Sequence, residues 1–194
     1  LIGRRKFVWT GINKEGSIMN AKMVNGLMFI LAGVTPPVVY LGLGPDGSGI
    51  LDMARTEQLF AYLFFSLPIA FMMTRNVQTN SFLDAGLLVL VSSMSMGMVA
   101  DALGASSEFT KMSDTVSVTA YSSIMLGALI CGIGIFRTEL FPKWLSGLFI
   151  FASAIAFLLL ATAAPENIES YIPIFLLVHL VMVFLGVHTI RRTA

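Results

Sequence analysis

The stretch that decides the fold runs from Ser170 to Arg192 and reads SYIPIFLLVHLVMVFLGVHTIRR. It carries no formal charge before Arg191. An α-helix rises about 1.5 Å per residue, so ~20 apolar residues cross the ~30 Å hydrocarbon core of a bilayer. The stretch is therefore predicted to be a transmembrane helix, with the imidazole of His179 near its middle.

The composition of the whole chain agrees with a membrane protein. Of its 194 residues, 56% are hydrophobic and only 12% are charged, whereas soluble domains are about 45–50% apolar and about 25% charged. A net charge of +1 gives no basic field to attract nucleic acid. The single cysteine, Cys131, excludes an intrachain disulfide framework and a cysteine-cluster metal site.

Five further apolar stretches precede the last one, separated by short polar segments. They are about Met23–Leu43, Gln58–Thr74, Phe82–Ala100, Val116–Phe136 and Trp144–Ala164. The sequence predicts an all-α polytopic membrane bundle of six transmembrane helices over residues 23–192. A basic, partly aromatic segment, residues 1–22, is predicted to lie in the cytoplasm or at the membrane interface.

The charges alternate with these stretches. With six spans and a cytoplasmic N-terminus, every Lys and Arg except Arg55 and Lys111 falls on the cytoplasmic side. This distribution follows the positive-inside rule, so both termini are predicted to be cytoplasmic. The acidic connection 101–115 is interpreted as a solvated outer loop, and no carboxylate is expected deep in a span.

Prolines interrupt the first two spans. Pro36 and Pro37 cannot donate backbone hydrogen bonds, so the first helix should kink or break there. Pro68 predicts a second bend. Broken helices mark the binding sites of some transporters, although neighbouring helices satisfy most simple kinks.

The fourth predicted span carries small residues at four-residue intervals. Ser123, Gly127 and Cys131 share one face, with Gly132 beside them. Small side chains allow two helix backbones to approach closely. We expect this face to pack centrally in the bundle or against a partner subunit.

His179 is the titratable group expected nearest the membrane centre, where polar groups are costly and often functional. Three interpretations stay open: a hydrogen bond to a neighbouring helix, an axial ligand to a haem or chlorin, or a proton relay or ligand contact. The candidate ligand-binding set is His179 with Pro36, Pro37, Ser92 and Ser95. Polar residues near the spans could line a small polar cavity or equally hydrogen-bond one helix to another; these are Asn25, Thr35, Ser66, Ser92 and Ser122.

Catalytic and metal motifs are missing from the sequence. We find no HExxH, GxSxG, P-loop or histidine cluster. The chain is therefore predicted to be non-enzymatic, with no metal site and no cofactor that the sequence requires.

The segments FPKWLSGLFIFASAIAFLLL (Phe141–Leu160) and VFLGVHTIRR (Val183–Arg192) carry a family resemblance. The shared pattern is a Pro–basic–Trp–Leu entrance to the penultimate helix and a basic end after the last. In these segments the chain resembles an uncharacterised group of six-to-seven-helix bacterial membrane proteins, classified as a domain of unknown function. The resemblance implies a multi-pass protein of a bacterial inner membrane and brings no catalytic residues.

Three functional hypotheses follow. The first is an accessory or scaffold subunit that contacts lipids and other membrane subunits. The second is a small-molecule or lipid binding or transport protein with a midplane site, which predicts loss of ligand binding in His179→Ala. The third is a pigment or haem carrier.

Overall fold

The computed structural model describes residues 14–104, 107–162 and 172–192. Every regular element in these ranges is helical. A π-helix, Pro37–Leu43, continues the first α-helix, and a short 3₁₀-helix, Ser107–Phe109, precedes the fifth. The α-helices are α1 Lys14–Pro36, α2 Met53–Phe64, α3 Ser66–Val77, α4 Ser81–Gly104, α5 Thr110–Phe136, α6 Lys143–Thr162 and α7 Ile172–Arg191.

Six segments of the described chain are long and apolar enough to cross a membrane, which confirms the predicted bundle. Their outer surface carries large apolar side chains, such as Leu88, Phe151 and Leu158. Lipid tails solvate such a surface, whereas water does not. The protein is a multi-pass integral membrane protein. The spans are Ala21–Leu43, Met53–Val77, Ser81–Gly104, Lys111–Phe136, Lys143–Thr162 and Ile172–Arg191.

Part of the predicted N-terminal segment and one predicted loop fall outside the described ranges. The undescribed part of the N-terminal segment is residues 1–13. The undescribed loop is residues 165–169, before the last span. Residues 14–22 of the N-terminal segment already belong to α1.

The six spans form a closed ring. Each span packs against the spans next to it in sequence, and α7 packs against α1. Two contacts of this ring are very close. A Cβ atom added at Gly33 on α1 would lie 2.5 Å from the carbonyl oxygen of His179, and one added at Gly127 on α5 would lie 2.8 Å from the backbone nitrogen of Leu90. Glycine therefore sets the distance between the paired backbones.

Cationic side chains gather at one end of the ring, which we call the basic end. Arg75 pairs with Asp84 on the first turn of α4, and the guanidinium of Arg137 lies 4.2 Å from the ring centre of Phe82 on the same turn. Arg192 donates to the carbonyl of Leu140. An even number of spans places the start of α1 and the end of α7 at this end. That the basic end faces the cytoplasm stays a prediction from the positive-inside rule.

The prolines change helix geometry in two different ways. At Pro37 the first span widens from an α-helix into a π-helix, so it continues instead of breaking. Thr35 stays in the α-helix and donates its hydroxyl proton to the carbonyl of Leu31, 2.7 Å away. The second span is interrupted at Phe65, between α2 and α3. Pro68 cannot donate to the carbonyl of Phe64, which explains the interruption.

Two predicted loops are shorter than expected. The segment 101–115 was interpreted as a solvated loop, yet α4 extends to Gly104 and α5 begins at Thr110. Asp101 lies inside α4 and is only 8% exposed. Glu57, expected in the preceding outer loop, lies in the second turn of α2, which begins at Met53. The polar side chains of these two segments predicted loops. Their carboxyl groups instead have buried partners, which only the tertiary structure supplies.

The side chain of Asn80 connects α4 to α5 by hydrogen bonds, so its removal should measurably lower the stability of the protein. Its Oδ1 accepts from the backbone N–H groups of Phe82 and Leu83, and its Nδ2 donates to the carbonyl of Gly134, all at 3.1 Å. We expect Asn80→Ala to lower the free energy of unfolding by about 1–2 kcal/mol, since it removes an N-cap and an interhelical bond. Thermal unfolding in detergent measures this, and Gln78→Ala, an exposed neighbour, should change it little.

Candidate functional site

A cavity with a volume of about 300 Å³ opens at the basic end of the ring. Its walls come from three spans and from the connection between α5 and α6. Cavities of this size hold small ligands or part of a lipid. The lining residues are Ala21, Lys22, Asn25, Met73, Thr74, Asn76, Val77, Leu140, Phe141, Thr189 and Arg192.

Asn25 is the buried polar group of this cavity. Its Nδ2 donates to Thr74 Oγ1 over 3.1 Å, while the Thr74 hydroxyl donates to the carbonyl of Ala70 over 2.9 Å. Because Thr74 has already given its one proton, its oxygen can only accept, so this network assigns the amide nitrogen of Asn25 to the Thr74 side. The Oδ1 of Asn25 is then buried without a donor.

A buried acceptor without a donor is uncommon and costs about 1–3 kcal/mol. Asn25 itself is only 6% exposed. Thr189 on α7, which packs against α1, also donates its proton to its own helix, at the carbonyl of Leu185. The side chain of Asn25 belongs to the cavity lining, but its Oδ1 atom has almost no accessible surface and does not face the open space.

The charges of the cavity are both positive. Lys22 and Arg192 belong to its described lining, which contains no carboxylate. Neither forms a salt bridge with a described residue. Arg192 uses one N–H group on the Leu140 carbonyl, which leaves further guanidinium donors. The mouth of the cavity therefore favours an anion.

An aromatic cluster supports the cavity from below. Phe141 in the cavity wall packs edge-on against Phe29, with ring centres 6.1 Å apart. Phe29 packs edge-on against Phe71 at 5.2 Å, and Phe71 contacts Phe149. These rings bury large apolar surfaces from four parts of the chain and fix the wall in place.

Two tyrosine–carboxyl pairs lie at the opposite end of the ring. The hydroxyl of Tyr40 donates to Glu57 over 2.6 Å, and that of Tyr121 donates to Asp101 over 2.9 Å. The ring of Phe60 packs against both tyrosines. The cleft beside Asp101 and Tyr121 holds only about 10 Å³, roughly the space of one water molecule. These pairs connect four helical segments and leave little room for a ligand.

His179 is buried, as expected, but its hydrogen bond stays within its own helix. Its Nδ1 lies 2.6 Å from the carbonyl of Phe175, which can only accept, so the Nδ1–H group donates there. The bond to a neighbouring helix considered from the sequence is therefore not the one formed. Its Nε2 is buried without a partner, and the Phe64 ring lies 5.7 Å away.

The predicted ligand-binding set comes from four elements: α1, the π-helix, α4 and α7. His179, Pro36, Pro37, Ser92 and Ser95 line neither of the two cavities. Ser92 and Ser95 are exposed on the outer surface of α4, and the Ser95 hydroxyl donates to Val91 of its own helix. A midplane site formed by these residues stays a prediction.

The small-residue face of α5 lies against other helices of the same chain. Gly127 faces Leu90 of α4, and a Cβ added at Gly86 of α4 would lie 2.6 Å from the backbone nitrogen of Cys131. Gly132 faces Phe149 and Ile150 of α6. Ser123 is half-buried. The glycines of this face and Cys131 are therefore covered within the chain.

Sequence reasoning gave the cavity residues other roles. Asn25 was one of several polar candidates, and Lys22 and Arg192 were counted only for topology. One sequence feature could have pointed to this site: Lys22 precedes the first span and Arg192 follows the last, so both cations are predicted at the same membrane surface. The contact between these two spans was not predictable from their sequences.

Comparison with known proteins found no matching family model, curated protein or solved structure. The resemblance to uncharacterised bacterial membrane proteins therefore stays a prediction.

Proposed function

We propose that this membrane protein binds an amphiphilic ligand, a lipid or lipid-like molecule, in the cavity at its basic end. One observation carries the proposal: a cavity of about 300 Å³ has apolar walls and the two cations Lys22 and Arg192 at its mouth. The hypothesis of a small-molecule or lipid binding protein is kept, and its site moves from the midplane to the membrane surface.

The walls explain why the ligand is amphiphilic. Met73, Val77 and Phe141 supply apolar surface, whereas Lys22 and Arg192 supply charge at the mouth. Binding sites of this kind combine apolar walls with a few polar groups that orient the ligand. The cavity lies at the end of six membrane spans, where a molecule in the lipid headgroup layer enters without crossing the bilayer.

Filling the cavity should abolish binding. Ala21 is exposed and lines the cavity, so Ala21→Trp places a large ring inside it at a depth where tryptophan is favourable. We expect at least a tenfold lower affinity for an amphiphile, about 1.4 kcal/mol. The measurement is native mass spectrometry of the purified protein, with titration of a fluorescent single-chain phospholipid.

Met23→Trp is the matched control, because Met23 is 55% exposed on the same helix and does not line the cavity. Its affinity should equal that of the parent. His179→Leu should also bind normally. Equal affinities of Ala21→Trp and the parent would contradict the proposal, and a loss in His179→Leu would return the site to the midplane.

The other two hypotheses stay predictions. The small-residue face that motivated an accessory subunit is covered within the chain, so a partner would have to contact another surface. The pigment hypothesis keeps one supporting observation: a metal-bound histidine usually donates its other ring N–H to a carbonyl or carboxylate, as His179 does. An absorption spectrum of the purified protein tests it.

A further inference from the structure

We infer that the ligand of the basic-end cavity is an acidic phospholipid, whose phosphate bridges Lys22 on α1 and Arg192 directly after α7 and whose headgroup has no cation of its own. The bound phosphate joins the first and last spans of the ring. The inference rests on the proposed function, and it names the ligand class and the structural effect of binding.

The first observation is that the two cations lie at the same level of neighbouring helices. A Cβ atom added at Gly26 on α1 would lie 2.7 Å from the carbonyl oxygen of Gly186 and would also touch the side chain of Ile190 on α7. Lys22 lies four residues, about 6 Å, closer to the basic end than Gly26. Because α7 runs antiparallel to α1, the same distance from Gly186 and Ile190 leads to about Arg192. Both cations line one cavity, which agrees with this register.

The second observation is that no described group neutralises this pair. The described lining of the cavity contains no carboxylate, and the salt bridges of the described chain involve Arg55 and Arg75 instead. Like charges that are held close together repel each other, most strongly where little water and salt screen them. An anion between Lys22 and Arg192 removes this repulsion and accepts hydrogen bonds from both side chains.

The third observation is the number of donors that the pair offers. Arg192 uses one N–H group on the carbonyl of Leu140, which leaves further guanidinium donors, and the ammonium group of Lys22 only donates. A phosphate accepts several such bonds, and its bonds to arginine and lysine are charge-assisted. The pair therefore suits a phosphate, and the apolar walls of the cavity suit part of an acyl chain.

Every phospholipid carries a phosphate, so the rest of the headgroup decides between classes. Phosphatidylcholine carries a quaternary ammonium beyond its phosphate. Here that cation would meet two like charges and no carboxylate of the described lining. Phosphatidylglycerol carries a neutral glycerol in the same place. The cavity therefore selects acidic phospholipids over zwitterionic ones.

The test compares two lipids on the purified protein in detergent, by native mass spectrometry over a titration of each lipid. The lipids are dioleoylphosphatidylglycerol and dioleoylphosphatidylcholine, which have the same chains and differ only in the headgroup. We expect the parent to bind phosphatidylglycerol about tenfold more tightly, since charge-assisted hydrogen bonds are involved. Equal affinities for the two lipids would overturn the inference.

Single substitutions locate this selectivity in the protein. Lys22→Gln and Arg192→Gln should each reduce the preference to roughly twofold. Arg191→Gln is the matched control, because it removes the same charge from the next residue, which is exposed and does not line the cavity. It should keep the full preference. Equal losses in Arg191→Gln and Arg192→Gln would show a general attraction of acidic lipids to the basic end and overturn the inference. If Lys22→Gln does not fold, the two arginine variants decide.

A single phosphate shared by both cations predicts losses that do not add. The double variant Lys22→Gln/Arg192→Gln should bind phosphatidylglycerol only slightly less tightly than either single variant. Phosphatidylglycerol should also raise the melting temperature of the parent more than phosphatidylcholine does, because it binds the folded state and holds α1 to α7. Strictly additive losses would show two separate contacts and overturn the bridge.

Two further arms separate the possible failures. Inorganic phosphate and oleate should each compete weakly, since the first lacks the chain and the second lacks the phosphate. Competition by either one equal to that of phosphatidylglycerol would overturn the ligand class. If the two phospholipids bind equally and Ala21→Trp abolishes both, the proposed function holds and this inference fails. If Ala21→Trp leaves both unchanged, the proposed function fails too.

Discussion

Gly127→Ala is expected to destabilise the bundle by about 3 kcal/mol, the upper part of the usual range for overpacking. The new Cβ would lie 2.8 Å from the backbone nitrogen of Leu90 and 3.1 Å from its Cα. A flexible side chain could move aside, but the backbone of α4 moves only if the whole helix moves. Thermal unfolding in detergent should show a melting temperature lower by roughly 10 °C.

Gly97→Ala is the control for this prediction. Gly97 lies on α4, in the same contact between α4 and α5, but a Cβ there would meet only Ile124 Cδ1, at an ordinary distance of 3.8 Å. Alanine favours a helix over glycine by about 0.5–1 kcal/mol, so this variant should be equally or more stable. Similar effects of the two substitutions would show that backbone proximity at Gly127 does not limit the packing of α4 and α5.

Tyr121→Phe is expected to cost about 1–3 kcal/mol, because it leaves the buried carboxyl group of Asp101 without its donor. The hydroxyl of Tyr121 and the Oδ1 of Asp101 are 2.9 Å apart, and Asp101 is 8% exposed. Chemical or thermal unfolding in detergent measures the loss. Tyr62→Phe, which changes a tyrosine that is 59% exposed, should stay within about 0.5 kcal/mol.

A double-mutant cycle makes the Tyr121 prediction specific. If the hydroxyl acts through Asp101, removing both in Asp101→Ala/Tyr121→Phe costs less than the sum of the single losses. Strict additivity would show that the two side chains do not depend on each other.

The sequence predicted the topology well because a bilayer imposes strong local rules. Each span must hide its backbone polar groups in a helix of about 20 apolar residues, and the cations follow the positive-inside rule. Pro37 and Pro68 also lie within three residues of the places where helix geometry changes. The form of each change, a π-helix and an interruption at Phe65, depended on the neighbouring helices.

The candidate site was less predictable. His179 attracted attention as an imidazole in an apolar stretch, but an imidazole can satisfy one nitrogen on its own helix, as it does at Phe175. Asp101 looked solvated because it stood beside a polar segment. Its partner, Tyr121, is 20 residues away in sequence, and no local pattern joins the two.

The sequence by itself therefore determined that the chain is a six-span membrane protein and which residues share each membrane surface, because hydrophobicity and charge act on each segment separately. Only the tertiary structure decided that α7 closes the ring against α1 and that Asn25 is left with a free acceptor near Lys22 and Arg192. Both features depend on which helix faces are in contact. Close backbone contacts at glycines, such as Gly33 against His179, determine the distance between α1 and α7, and no local sequence pattern predicts these contacts.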